Sequence, residues 1–413
     1  MIGFGEIIAL LLSLGGFGVT TNPSPPTPEQ SLAYAMPEAE LVVHLDLVPV
    51  VPGNYKVLTK LAEDPAVKAV PELRDMVRQL TGQVDAGRGM AQGLLGLDVV
   101  QDLSSATAFL RFVPQRDPSY VLAVRGKFPA DLVAKAAQLS GGTASKVGAL
   151  AMADLGDENA LGLTRDGVLL LGTATLVKAR LADTWRAPAR AAGSTLGKMA
   201  EVLATQPFFA VGGALSPAVR GEAAKEMKAP NFLLDLVQRH KFFALAMYPN
   251  GVGWRWDDSS AAGLASMKLF SEGTLEVMRA AQIAPRGMAK MAAAAMESYR
   301  GMDKRLDEVI RRKDDLIRLV NSTTGDGKFA ATVNADPRAL RLDVRATGSR
   351  LSEVMPSGLL LPLLAGAYFS FQSGSSSGSG PTLIERPAPP PPSKGGAPKK
   401  APAPARPVHK KAS

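Results

Sequence analysis

The sequence predicts an α+β fold of two similar modules, each an antiparallel sheet with helices packed on it, the second carrying a long helical hairpin. Three observations lead there. Runs such as Leu41 to Val48 (LVVHLDLV) and Val252 to Asp257 have the alternation and β-branched content of strands, and turns at Pro114 to Ser119 and Pro249-Asn250-Gly251 join such runs in pairs. The stretches between them place apolar residues at helical spacing instead. The order strand, helix, hairpin, helix, strands is read over 39–186 and again over 194–350, in element order and not in residue identity. An N-terminal apolar helix and a disordered C-terminal tail flank the modules.

The first element is Met1 to Val19 (MIGFGEIIALLLSLGGFGV), whose one charged side chain is Glu6. As a helix it rises about 28 Å, close to the roughly 30 Å of a bilayer's hydrocarbon core. It reads as a retained membrane anchor or as a cleaved signal segment. Gly16-Phe17-Gly18 offers small residues for cleavage, and the absence of Lys and Arg before the apolar run speaks for the anchor. The segment 20–38 is a Pro-rich spacer with Pro23, Pro25, Pro26, Pro28 and Pro37.

In the first module, Leu41, Val43, Leu45 and Leu47 of the opening strand face one way, and Val42, His44 and Asp46 the other. A helical region follows over 54–95, with Gly82, Gly87, Gly89 and Gly93 expected to interrupt it. Strands at Ala106 to Val113 and Tyr120 to Lys127, a helix over 129–140, strands near 146–154, 159–164 and 167–172, and a helix over 174–185 complete it. After an Ala, Pro, Arg and Gly linker at Arg186 to Gly193, the second module opens with a strand at Phe208 to Leu215 and a helix at Phe232 to His240. The hairpin Phe242 to Tyr248 and Val252 to Asp257 follows. A helical block over 260–320 and a strand pair at Lys328 to Ala335 and Leu340 to Ala346 close the module. Within that block Tyr299, Met302, Leu306, Val309, Lys313, Leu316 and Val320 step by three and four, which makes the 286–320 helix a candidate homo-oligomer seam.

The apolar segment 351–372 includes Gly358 to Phe371 (GLLLPLLAGAYFSF), read either as a core helix or as a second membrane contact. From 373 onward the chain is Ser/Gly-rich and then Pro/Ala/Lys-rich, a disordered composition. From Arg386 to Ser413 this tail carries seven basic residues and no acid, against a net charge of +9 for the whole chain. Lys399, Lys400, Arg406, Lys410 and Lys411 are its candidate contacts to anionic lipid or DNA.

Several chemistries are excluded by composition. Cysteine is absent, which removes thiolate nucleophiles, disulfides and Cys-ligated metals. Histidine occurs only at His44, His240 and His409, and no cofactor or metal is expected. Gly374-Ser375-Ser376-Ser377-Gly378 matches a nucleophile elbow in letters but lies in a linker. Gly193 to Met199 (GSTLGKM) falls one residue short of a phosphate loop, and Asp154, Asp157 and Glu158 read as a solvated turn. The remaining candidates are His44 with Asp46, as an acid–base pair, and Trp254 and Trp256 flanking Arg255, as a ligand-stacking platform.

The run Gly3-Phe4-Gly5-Glu6 followed by Ile7 to Leu12 resembles the start of the small membrane subunits of the twin-arginine translocase. It departs from them where Pro and Thr stand in place of their amphipathic helix. Leu41 to Val48, Val121 to Phe128 and Val168 to Thr173 resemble a loose class of membrane-anchored envelope proteins of proteobacteria with repeated α+β modules. That resemblance implies an inner-membrane-anchored or periplasmic location, or secretion if the N-terminus is cleaved, and it implies no activity. The expectation is a non-catalytic envelope protein binding a protein, lipid or apolar ligand. The alternatives are a hydrolase-type enzyme using His44 and Asp46, and a two-ended membrane protein whose basic tail touches lipid or DNA.

Overall fold

Alternating side-chain character is what assembles the centre of the molecule. In the computed structural model the described residues are 26–48, 55–56, 59–60, 63–69, 71–114, 116–226, 238–297, 300–301, 304–323 and 325–354. Met1 to Val19, Gly358 to Phe371 and the basic tail lie outside them, as does most of the helix expected at Phe232 to His240. The described residues all belong to one unit, Met1–Gly374.

The fold is mixed α+β with an antiparallel sheet. The strands are β1 (Leu41–Asp46), β2 (Leu103–Val113), β3 (Arg116–Gly126), β4 (Thr143–Val147), β5 (Leu150–Gly156), β6 (Asn159–Leu163), β7 (Val168–Thr173), β8 (Phe209–Gly213), β9 (Phe242–Tyr248), β10 (Gly251–Asp257), β11 (Ala330–Asp336) and β12 (Arg341–Thr347). All twelve belong to one sheet, ordered β11-β12-β10-β9-β8-β1-β2-β3-β7-β6-β5-β4. The strands before and after residue 190 thus meet at the β1–β8 pair, in the register Leu41↔Gly213 to Leu45↔Phe209. Glu40 ties that junction. Its carboxylate accepts from the backbone N–H groups of Phe112, at the end of β2, and Ser216, just past β8.

Helices cover both faces. On one face lie α3 (Pro71–Leu95), preceded by the short α2 (Pro65–Ala69), and α8 (Ala261–Glu297). Val84 of α3 and Leu264, Met267, Leu275 and Met278 of α8 close over Leu45, Leu47, Trp256, Leu342 and Val344. Further along the same face, α4 (Leu132–Ser140) sets Val133 and Ala137 against Ala153 and Leu161. On the opposite face α1 (Pro28–Ser31), α5 (Ala174–Leu181) and α6 (Thr195–Leu203) surround Val42, Phe109, Val121, Leu170, Ala210, Phe242 and Ala244. A Cβ on Gly212 would lie 2.6 Å from the Met199 sulfur of α6 and 2.8 Å from the Ala244 Cβ and the Phe243 carbonyl oxygen of β9, so a side chain there would crowd both neighbours. The remaining helices are α7 (Pro217–Glu226), α9 (Lys304–Arg311) and α10 (Lys313–Thr323), and a 3-10 turn at Leu351–Glu353 follows β12.

Three local expectations are corrected. Helix α3 runs through Gly82, Gly87, Gly89 and Gly93 without a break; burial of Val77 and Val84 offsets the roughly 1 kcal/mol that each internal glycine costs. Residues 195–203, which overlap only the rejected phosphate-loop match at Gly193 to Met199 and no expected element, form α6, with Ser194 accepting from the Gly197 N–H as its N-cap. The three-four spacing over 299–320 does not follow a single helix. The chain turns at Gly301, whose φ of +85° ends helical geometry, and again at Arg312 between α9 and α10. The chain then doubles back along α8: Lys313 pairs with Glu297, Arg286 donates to the Asn321 carbonyl, and Gln282 accepts from the Gly325 N–H. Among the described residues no helix is long and apolar enough to cross a membrane.

A sheet that continues through β1 and β8 should unfold as one unit. Phe109 on β2 is fully buried, so Phe109→Ala should cost about 3–5 kcal/mol. In a Trp185→Phe background, where only Trp254 and Trp256 report, denaturant titration should show the same lowered midpoint as far-UV circular dichroism. An unmoved tryptophan transition would mean that the two halves unfold separately.

Candidate functional site

Two polar clefts interrupt the apolar packing on the α6 face, one beside β1 and one beside β10. On β1, His44 stands opposite Thr107, and Asp46 opposite Ser105. His44 is 2% exposed and its Nδ1 lies 2.9 Å from the Thr107 hydroxyl. Burial pushes its pKa down to about 4, so the ring is neutral at pH 7. Asp46 accepts from the Val48 N–H at 3.3 Å. Burial pushes its pKa up to about 6, against the opposing effect of that hydrogen bond. No hydrogen bond joins His44 to Asp46 among the described residues. Two positions apart on a strand, their Cα atoms are about 6.6 Å from each other. The structure therefore puts both on one face without making them an acid–base pair.

Asp46 opens instead on a cleft of about 280 Å³ shared with Gln30, Ser104, Ser105, Arg125 and Asp166. Arg125 donates to the Gln30 carbonyl at 2.8 Å and lies 3.9 Å from the Asp166 carboxylate. Burial would raise the Asp166 pKa, but hydrogen bonds from Thr164 and Tyr34 outweigh it and hold the carboxyl below its ordinary value. The Tyr34 phenol is pushed up to about 12, first by burial and then by its bond to Asp166. Near pH 7 Asp166 stays an anion and Tyr34 a neutral donor to it, so Asp46 is the carboxyl of this cleft pushed toward neutral pH.

The second cleft is built where β9, β10, β12 and β11 leave the cover of α6. Trp254, Arg255 and Trp256 alternate across the sheet, and only Arg255 faces this cleft. The two indoles lie on the α8 face within the apolar core. Trp256 is 8% exposed and donates to Asp258 at 3.0 Å, and Trp254 donates to Ser271 of α8 at 2.9 Å. They pack as core residues and present no joint stacking surface. Arg255 lies on the Phe242 ring with its Cζ 5.3 Å from the centroid. It grips Asp257 through Nε and Nη2 at 2.9 and 3.1 Å, and donates to Glu201 at 2.6 Å. Burial disfavours its charge, but Asp257 and Glu201 reverse the balance and raise its pKa. Asp257 is held low in the same way, its burial outweighed by Arg255 and by Lys198 at 2.8 Å. Glu201 also accepts from Arg341 at 3.3 Å, and Arg341 makes a forked pair with Asp343 at 2.6 and 3.2 Å.

Lys198, Glu201, Arg341, Asp343, Arg125 and Asp166 are absent from the sequence-derived candidates. The signal for some of them was present, because Arg341-Leu342-Asp343-Val344-Arg345 alternates charge with apolar residues and so lines one strand face with ions. Asp154, Asp157 and Glu158 are a turn, with Asp154 accepting from the Gly156 N–H and positive φ at Asp157 and Glu158. Among the described residues no group of His, Asp and Glu is arranged to hold a metal ion.

No protein-family model matches the chain, and no curated protein matches it. A solved structure, crystal form I of TP0453, aligns over 84% of this chain and 99% of that chain, with 9% identity and a TM-score of 0.32. At that score the likeness carries no argument.

The two titrating groups on β1 act on stability with opposite signs. Between pH 6.5 and 4 the unfolded chain binds a proton at His44 that the folded protein does not. Folding therefore loses up to about 3 kcal/mol as pH falls through that window. Between pH 6 and 3.8 the folded protein binds a proton at Asp46 that the unfolded chain does not, so folding gains about 3 kcal/mol over nearly the same range. The two contributions cancel in the native protein. Asp46→Asn should raise stability at pH 8 by roughly 1–3 kcal/mol and leave a steep loss between pH 6.5 and 4. Urea titrations across that range test this; parallel profiles for variant and parent would contradict the assignment.

Proposed function

We propose that the chain is a non-catalytic, membrane-anchored envelope protein whose α8 face binds an apolar partner, the surface of a lipid bilayer. The observation that carries this reading is the outer side of α8. Leu269, Val277, Met288 and Met291 are 72, 62, 69 and 74% exposed, and at 100° per residue they fall on one side of the helix, away from Leu264, Leu275 and Met278. Isolated exposed apolar residues are ordinary, whereas a continuous stripe of them marks an interaction surface. Charge favours a bilayer over a protein core as the partner. Between Glu276 and Glu297 the helix carries no acid; Arg279 and Arg286 turn to Phe329 and the Asn321 carbonyl of the body, and the exposed Lys290 is the cation left for anionic lipid.

The anchored location rests on Met1 to Val19 and the Pro-rich spacer that follows. That spacer would hold the body within reach of the membrane and let α8 settle on it. In this reading the two halves are copies of one unit. Strands β1, β2, β3, β7 and β6 run outward from the centre as β8, β9, β10, β12 and β11 do on the other side. The neutral, enclosed His44 gives no support to the hydrolase alternative. The two-ended alternative depends on Gly358 to Phe371 and the tail.

The absence of cysteine makes a direct test available. Met288→Cys and Met291→Cys in the full chain each accept one environment-sensitive fluorophore. On reconstitution into vesicles containing anionic lipid, both probes should shift to the blue, while a probe at the exposed Lys178 on α5 should not. Probes at 288 and 291 that stay at their aqueous emission would sink the membrane reading of α8.

A further inference from the structure

We infer that the cleft beside β10 is a binding site for a small monocarboxylate, with Arg345 as its anchor. The cleft holds about 250 Å³ and opens on the sheet face opposite α8. Its floor is made by the small residues Ala244, Ala246 and Gly253. Arg345 on β12 stands opposite Gly253 on β10 and Thr332 on β11. Because Gly253 has no side chain, the Arg345 side chain can lie across β10 and rest on the Tyr248 ring of β9, its Cζ 4.4 Å from the centroid.

Hydrogen-bond accounting shows which groups remain for a ligand. The Thr205 hydroxyl donates to the Val202 carbonyl at 2.6 Å, so at the 2.7 Å contact between Thr205 and Tyr248 the phenol is the donor. Tyr248 is thereby locked as a platform. Arg255 and Arg341 spend their forks on Asp257, Glu201 and Asp343. Arg345 has no carboxylate within ion-pair distance among the described residues; its interaction is the Tyr248 ring. Arg345 is exposed and lines the cleft, with no carboxylate among the described residues on its N–H donors, beside the exposed Thr332 and Asn334 of the neighbouring strand.

Charge and size narrow the ligand. Arg255, Arg341 and Arg345 against Glu201 and Asp343 leave one positive charge unmatched in the lining, which suits a monoanion. A guanidinium fork recognises the planar carboxylate through two parallel hydrogen bonds. The alanine and glycine floor then takes a short aliphatic or flat aromatic body. A pocket of this size lies below that of a drug-sized site, so the ligand is a small acid. The site rests on Arg345 and its surroundings, on the other side of the sheet from α8, and does not depend on the membrane reading.

Isothermal titration of the full chain with butanoate, benzoate, benzamide and inorganic phosphate tests the assignment. Butanoate or benzoate should bind, and benzamide, which keeps the shape of benzoate without its charge, should not. Arg345→Gln should weaken the carboxylate about tenfold or more, and Arg345→Lys should also weaken it, because a point charge does not replace the fork. Gly253→Val should abolish binding by filling the floor; Thr332→Val, at an exposed position, gives a milder loss without risk to the fold. Equal binding by parent and Arg345→Gln overturns the site. Preferential binding of phosphate, or no carboxylate binding up to about 10 mM, overturns the ligand class.

Discussion

Between Leu41 and Asp46 the backbone is shared on both sides, with β2 along all six residues and with β8 along five of them. Both side-chain faces of that strand are covered as well: Leu45 and Leu47 lie beneath the helices of one side, and Val42 beneath those of the other. A strand placed so has no route by which water can satisfy a polar side chain, and each polar residue on it must find another solution. His44 solves the problem by staying neutral against Thr107, and Glu40, just outside the strand, by receiving two backbone N–H groups from either side of the junction. Asp46 sits at the end of the strand, where a cleft begins. The same burial that joins the halves of the sheet thus places a titratable carboxyl at the mouth of a polar pocket.

The α6 face meets the same constraint with charge instead of neutrality. Arg255 and Asp257 are each about one-tenth exposed at the side chain and are held by Lys198 and Glu201. An ion pair taken out of water recovers its desolvation cost only when its geometry is good and its remaining hydrogen bonds are filled. The fork of Arg255 on Asp257 and its seat on Phe242 meet both conditions. The network is therefore better read as a fixed electrostatic frame than as a source of stability. A frame whose own charges are matched makes one unmatched guanidinium at its rim a selective feature.

Much of this architecture was legible from the order of residues, and the misses have physical causes. Period-two segments marked most of the strands, because alternation reports burial directly. Helix α6 was missed because its nine residues present themselves as a glycine and lysine motif. The pattern Leu196, Met199, Leu203 behind the Ser194 cap would have shown it. The indoles of Trp254 and Trp256 were correctly placed on one face of a strand, but alternation does not say which face a helix covers. His44 and Asp46 share a face, as alternation predicts, yet alternation does not report the burial that drives their pKa values in opposite senses. The ions around Arg255 come from two strands and a helix far apart in the chain, and only the pairing of β10 with β12 brings Arg341, Asp343 and Arg345 beside Arg255.

The sheet also divides the molecule chemically. On one side α8 turns an apolar stripe outward, with the exposed Lys290 on its second half. On the other, both polar clefts open between helices that stop short of covering the strands. Lipid under α8 would lie about 20 Å from the clefts, one helix layer and the sheet away at about 10 Å each. At physiological ionic strength that is more than twice the Debye length of about 8 Å. On the membrane reading, a lipid surface under α8 would therefore leave the charges around Arg255 and Asp46 nearly unperturbed. Binding to the membrane and binding of a small acid would then be electrostatically independent, and any coupling between them would have to pass through movement of the strands themselves.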